Sequence, residues 1–166
     1  MTQKEVSELF AVWALNWPNS EMFKGGAAML DARVKLYASQ LADVDYWLGQ
    51  KATEHSLRTR IYAPNIAEFL EDIETAKAGI DSEIDAAYVA LRSSCQIAHL
   101  NGRKVDDSIM RTMPPRIQKT VAAMGGIDAF APSDKPCFEM TAFKNTYLTL
   151  MRTNPPLLQT NRKEIT

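Results

Sequence analysis

At 166 residues, 46% of them hydrophobic, the chain is long enough to bury one substantial core, or two small helical subdomains, without disulfides or metals. Its 19 Lys/Arg against 20 Asp/Glu leave a net charge of −1, which gives no bulk electrostatic reason to condense on DNA or on an anionic membrane. The balance is mildly uneven along the chain, with 8 Lys/Arg against 11 Asp/Glu in residues 1–80 and 11 against 9 in 81–166.

Thr2 to Glu5 has the capping-box arrangement, in which the threonine oxygen and the glutamate carboxylate each satisfy an amide at a helix start. A first helix is therefore predicted, with Val6, Leu9, Phe10, Trp13 and Trp17 as its apolar stripe and Pro18 as its end. Asn19 to Gly26 reads as a loop, followed by a second helix over Ala27 to Leu41 and a third over Val44 to Leu57. Leu36, Tyr37, Leu41, Val44, Trp47 and Leu48 recur as one apolar face. Pro64 suits a helix start, because its missing amide hydrogen is one the first turn could not use. The fourth helix is predicted from there to about Ala78, and its Ile66, Phe69, Leu70 and Ile73 are expected to share one interior with Trp47.

Gly79 reads as a break and Asp81-Ser82 as the cap of a fifth helix running to about Ala98, lined by Ile84, Ala87, Tyr88, Leu91 and Cys95. After Asn101-Gly102, the polar connection to Met113 is the expected flexible joint. Pro114-Pro115 opens a sixth helix with Ile117, Val121 and Met124 on one face, and Gly125 suits the left-handed residue that terminates it. Ser133-Asp134 and Pro136 start a last helix through about Met151. No run alternates apolar and polar residues long enough to argue for strands. The reading is an all-α protein with a helical N-terminal domain (1–100), a smaller helical C-terminal region (101–152) and a flexible tail (153–166).

A search for chemistry returns little. No phosphate-binding Gly-x-x-x-x-Gly-Lys-Ser/Thr loop is present. Gly25-Gly26 and Gly125-Gly126 suit turns or helix stops. Cys95 and Cys137 stand far apart without histidines at ligand spacing, so free thiols are expected and a metal site is not. His99 lies four residues from Cys95, a spacing open to a nucleophile and base. An activated thiolate needs an electropositive, partly exposed site, whereas Cys95 continues an apolar stripe. His55 reads as a solvated helix histidine beside Glu54. Glu68, Glu71, Asp72 and Glu74 suit the positive end of the fourth helix, with a negative patch for a partner as their other reading. These features predict a protein with no catalytic residues, cofactor or metal. With no apolar run near the ~20 residues a membrane span needs and no signal-peptide pattern at the N-terminus, a cytoplasmic protein is expected.

The order of residues also resembles a known family. Leu36-Tyr37, Gln40 to Asp43, a helix carrying Ala52 and His55, and Tyr62 to Glu68 with its Pro-x-Ile-Ala-Glu start are similar to the phage replicative helicase loader/inhibitor family. Ala86 to Leu91 stands where that family carries a middle helix. Met113-Pro114-Pro115 with Val121 to Gly126 resembles its proline-started helix ending in a double glycine, and Phe138 to Leu148 its closing helix. The resemblance implies a non-enzymatic adaptor, acting in the cytoplasm of an infected or lysogenic bacterium. Such an adaptor binds a hexameric replicative helicase, restrains it and helps deliver it to an origin-bound initiator protein. It also implies a helicase contact after Gly102, which would include Phe143, Tyr147 and the tail leucines Leu157 and Leu158.

Three further features concern partners. Trp17 beside Pro18 is either core or an exposed indole anchor. Leu157-Leu158 after Pro155-Pro156 is either a short docking motif or an unstructured end. Arg103, Lys104, Arg111, Arg116 and Lys119 form the densest basic group, which supports an alternative, a small nucleic-acid-binding module that reads phosphates. Asp106 and Asp107 interrupt that group, so nucleic-acid binding is expected to be weak or indirect. A phage antagonist of some other host protein is a third reading.

Overall fold

The computed structural model describes residues 1–102, 105–127 and 136–153, the side chains of Asp107 and of 136–139 excepted. The described residues form α-helices and no strands: α1 (Gln3–Asn16), α2 (Gly26–Gln40), α3 (Tyr46–Thr59), α4 (Ile66–Leu100), α5 (Asp107–Met110), α6 (Pro115–Ala123) and α7 (Pro136–Thr153). A single tight helical turn, Glu21–Phe23, interrupts the loop between α1 and α2. The all-α expectation holds. Of the predicted tail, Thr153 is the last residue of α7 and the rest, with Leu157 and Leu158, lies outside the described residues, as do Arg103 and Lys104.

Two compact units divide the chain, Met1–Ile80 and Asp81–Thr166. Their boundary falls inside α4, whereas the sequence reading placed it at the end of that helix. The predicted fourth and fifth helices are in fact one continuous helix of 35 residues. Gly79 does not break it, because a single helical glycine costs only about 1 kcal/mol relative to alanine. A second helix start would instead repeat the nucleation penalty.

In the first unit the capping box forms as predicted: Glu5 N–H donates to Thr2 Oγ1 at 3.3 Å and Thr2 N–H to Glu5 Oε2 at 2.7 Å. One face of α1 then buries Val6, Leu9, Phe10 and Trp13 against Val34, Tyr37, Ala38 and Leu41 from α2 and its end, Ala52 from α3, and Phe69 and Ile73 from α4. Trp13 is the centre of this core. Its ring meets Phe10 at 5.2 Å and Phe69 at 4.8 Å between centroids, while Phe10 meets Tyr37 edge-on at 4.9 Å. Each such aromatic pair adds about 0.5–1.5 kcal/mol beyond its buried area. The Met1 ammonium donates to the carbonyls of Leu41 (2.6 Å), Ala42 (3.1 Å) and Val44 (2.8 Å), placing positive charge on the negative end of α2.

Two expectations for this core need correction. Leu36 does not belong to the apolar face and is exposed, because its position on α2 points away from the Val34, Tyr37 and Ala38 side. The aromatic partner of Phe69 is Trp13. Trp47 is half-buried, and its indole N–H has no hydrogen-bond partner among the described residues.

In the second unit the α4 residues Ile84, Ala87, Tyr88, Leu91 and Cys95 are buried, as are Ile117, Thr120 and Val121 of α6 and Phe143, Tyr147 and Met151 of α7. The stripes predicted around Ile84–Cys95 and on α6 are therefore core faces, with Met124 half-buried just after α6. Pro114 precedes α6, and Gly125 follows it with φ +100°, the left-handed residue expected there. The connection read as a flexible joint contains α5, with Met110 buried.

Candidate functional site

The site with the clearest partner-binding composition lies in the first unit, where α1 ends. Trp17 is the residue after α1, and its N–H closes the last turn on Trp13 O at 2.7 Å. Pro18 prevents continuation. The loop that follows is pinned rather than loose: Ser20 Oγ accepts from Met22 N–H at 3.3 Å, and Arg33 of α2 donates to the carbonyls of Met22 and Lys24.

Facing Trp17 is the α3–α4 connection, Arg60 to Asn65, which is anchored from both ends. Arg60 donates from Nε to Asp72 Oδ2 at 2.8 Å and from Nη2 to Asp72 Oδ1 at 3.0 Å, a two-point ion pair, and also to Glu68 O at 3.1 Å. Ser56 Oγ donates to Asp72 Oδ2 at 2.5 Å. Burial works to raise the Asp72 carboxyl. Hydrogen bonds from Arg60 and Ser56, then the charges of Arg60 and His55, outweigh it and hold the group below the ordinary carboxylate value. At the other end, Asn65 and Glu68 form a second capping box, through Glu68 N–H to Asn65 Oδ1 at 3.0 Å and Asn65 N–H to Glu68 Oε2 at 2.8 Å. Tyr62 donates its hydroxyl to Glu68 Oε1 at 3.1 Å.

Between these anchors Ile61 is held outward, 90% exposed, and Tyr62 is 53% exposed. With Asn16, Trp17, Pro18 and Ser20 they line an open groove of about 350 Å³. Trp17 itself packs on the edge of the core and is half-buried. Trp17 therefore packs on the core and also lines the groove. An isoleucine and a tyrosine presented beside an indole on a fixed frame can bury apolar area against another protein, at little ordering cost.

No family model matches the chain, and neither a curated protein nor a solved structure shows significant similarity to it. The functional reading therefore rests on the sequence and on the geometry of these surfaces.

The other predicted site residues are distributed differently. Phe143 and Tyr147, expected to face a partner, are 0% and 3% exposed. They are core residues of the second unit, with Phe143 5.6 Å from Tyr88 and 5.6 Å from Tyr147 between ring centroids. The reason is physical: on α7 they occupy the helix's apolar stripe, and α6 covers it. Tyr147 donates its hydroxyl to Glu83 Oε1 at 2.8 Å; burial, then this bond, push its ionisation up. Arg116 pairs with the same Glu83 oxygen at 2.8 Å and lies over the Tyr147 ring at 5.9 Å. Arg116 is exposed, as are Arg111 and Lys119, but its charge is paired with Glu83.

His55 is not paired with Glu54, which instead takes Lys51 at 2.9 Å; its Nε2 lies 3.9 Å from Asp72 Oδ1. Asp72 is 4% exposed, so it forms no part of an acidic surface patch. Cys95 is buried while His99 is exposed, and the side chain of Cys137 lies outside those described. Among the described residues no group of three His, Cys, Asp or Glu could hold a metal ion, and no helix is long and apolar enough to cross a membrane. Ile61, Arg60 and Arg33 escaped the sequence reading. The available signal was an isolated apolar residue between an arginine and the Tyr62-Ala63-Pro64 start.

Proposed function

We propose that this chain is a non-enzymatic adaptor in phage DNA replication. It docks on a hexameric replicative helicase through the Trp17–Ile61–Tyr62 surface, restrains it, and helps deliver it to an origin-bound initiator. The observation that carries the reading is the 90% exposure of Ile61 beside Tyr62 and Trp17 on a frame fixed by Arg60, Asp72 and Glu68. Resemblance in the order of the helical elements supplies the class of partner. Because Phe143 and Tyr147 are interior, any contact from the second unit uses other residues. The mechanism requires no turnover: preferential binding to one helicase conformation shifts that population, and a competing partner releases it.

Affinity capture of the full chain from its native host, with mass identification of what co-purifies, tests this. A replicative helicase or initiator as the dominant partner supports it. Dominant nucleic acid would favour the nucleic-acid-binding module, and a different host protein would favour the antagonist reading.

A further inference from the structure

We propose that a second groove, in the second unit between α5 and α6, binds an acidic peptide segment that inserts one large aliphatic side chain. The groove encloses about 450 Å³ and is lined by Met110, Arg111, Lys119, Val121, Ala122 and Ile127, among others. Its floor is aliphatic, since Met110, Val121 and Ile127 are buried residues whose outer edges form the lining. The turn through Gly125 and Gly126, at φ +100° and +99°, brings Ile127 back to this floor. A methionine in such a floor adapts to the shape of the inserted group.

The rim is cationic. Arg111 and Lys119 are exposed, and neither forms an ion pair among the described residues. Other cations of the same unit are engaged, Arg116 with Glu83 at 2.8 Å and Lys144 with Asp81 at 2.7 Å. Gln118, also in the lining, is committed to Met113 O at 2.7 Å. The free charge in this groove therefore sits on two side chains flanking an apolar slot, which complements an aliphatic residue with carboxylates on either side.

Nucleic acid fits less well. Among the described residues no aromatic side chain lines the groove to stack a base, and the charge of Arg116, which would extend the cations into a row along phosphates, is already paired with Glu83. The proposal rests on the adaptor reading only in taking the ligand to be a protein segment.

The test is fluorescence anisotropy with the full chain and three labelled probes: a peptide of glutamates around a central leucine, the same peptide with serine for leucine, and an oligo-dT strand. The leucine peptide should bind, the serine peptide about tenfold more weakly, and Arg111→Glu with Lys119→Glu should weaken the leucine peptide by at least about tenfold. Both substituted residues are exposed, and an unchanged thermal melt confirms that the variant folds. Absence of peptide binding, equal binding of the two peptides, insensitivity to charge reversal, or tighter binding of oligo-dT would each overturn the proposal. Loss of peptide binding in the variant with helicase capture intact still supports this groove and leaves the adaptor reading standing. Failed helicase capture with intact peptide binding removes the adaptor reading alone.

Discussion

The indole N–H of Trp13 donates to Thr53 Oγ1 at 3.3 Å, and both residues are fully buried at the centre of the first unit. The bond ties α1 to α3 inside the core, so its loss leaves a buried donor without a partner. Thr53→Val keeps the shape and removes the acceptor. We expect about 1–2 kcal/mol of destabilisation, read as a lower urea midpoint at unchanged slope.

Asp72 and Arg60 set the acid response of the same unit. The Asp72 carboxyl ionises below its ordinary value in the fold. In the unfolded chain it takes up its proton first as pH falls, near the reference value of about 3.9. Between the unfolded and folded values the unfolded state binds more protons, so stability present above that window is lost as pH drops through it. Asp72→Asn should cost about 2–3 kcal/mol at neutral pH, because it leaves Arg60 without its carboxylate. It should also flatten the acid limb of a stability-against-pH curve.

At the alkaline limb two tyrosines act in the opposite sense. Burial, then the charge of Glu68, push Tyr37 up to about 12, and burial, then the hydrogen bond to Glu8, push Tyr46 up to about 12. An unfolded tyrosine ionises near 10. Within that interval the unfolded chain holds fewer protons than the folded one, and stability falls as pH rises. In a spectrophotometric titration, Tyr37→Phe and Tyr46→Phe should each remove part of the late-ionising absorbance.

Continuity of α4 is testable at Gly79. An added Cβ there meets nothing within 4 Å, and the backbone is helical. Gly79→Ala should therefore raise stability by about 0.5–1 kcal/mol and increase the melting temperature. A helix that ended at Gly79 in a left-handed conformation would instead be destabilised by alanine.

Much of the fold was legible because its signals are local. The Thr2–Glu5 box, the proline starts and the Gly125 stop each depend on residues within one turn, and the stripes of α1, α4 and α6 are largely core faces, although Leu70 of α4, expected inside, is exposed. Gly79 and Asp81-Ser82 misled for the same reason: they are local signals for a break, outweighed by the continuous helix on either side. Phe143 and Tyr147 misled differently. An aromatic stripe on an amphipathic helix looks the same whether α6 or another protein covers it. The groove at Trp17 was half legible from the Trp-Pro pair. Ile61 gave no periodic signal, and its exposure is set by Arg60, Asp72 and Glu68, which meet only after folding.

The most direct test of the account is a binding titration of the full chain and its Ile61→Asp variant against the purified replicative helicase of the native host, at low and moderate salt. Ile61 is almost fully exposed, so the variant should melt like the parent. We predict that the parent binds at both salt concentrations and that Ile61→Asp weakens binding at least about tenfold, the loss expected of a central apolar anchor. Absence of binding by the parent, or equal affinity of parent and variant, would contradict the account.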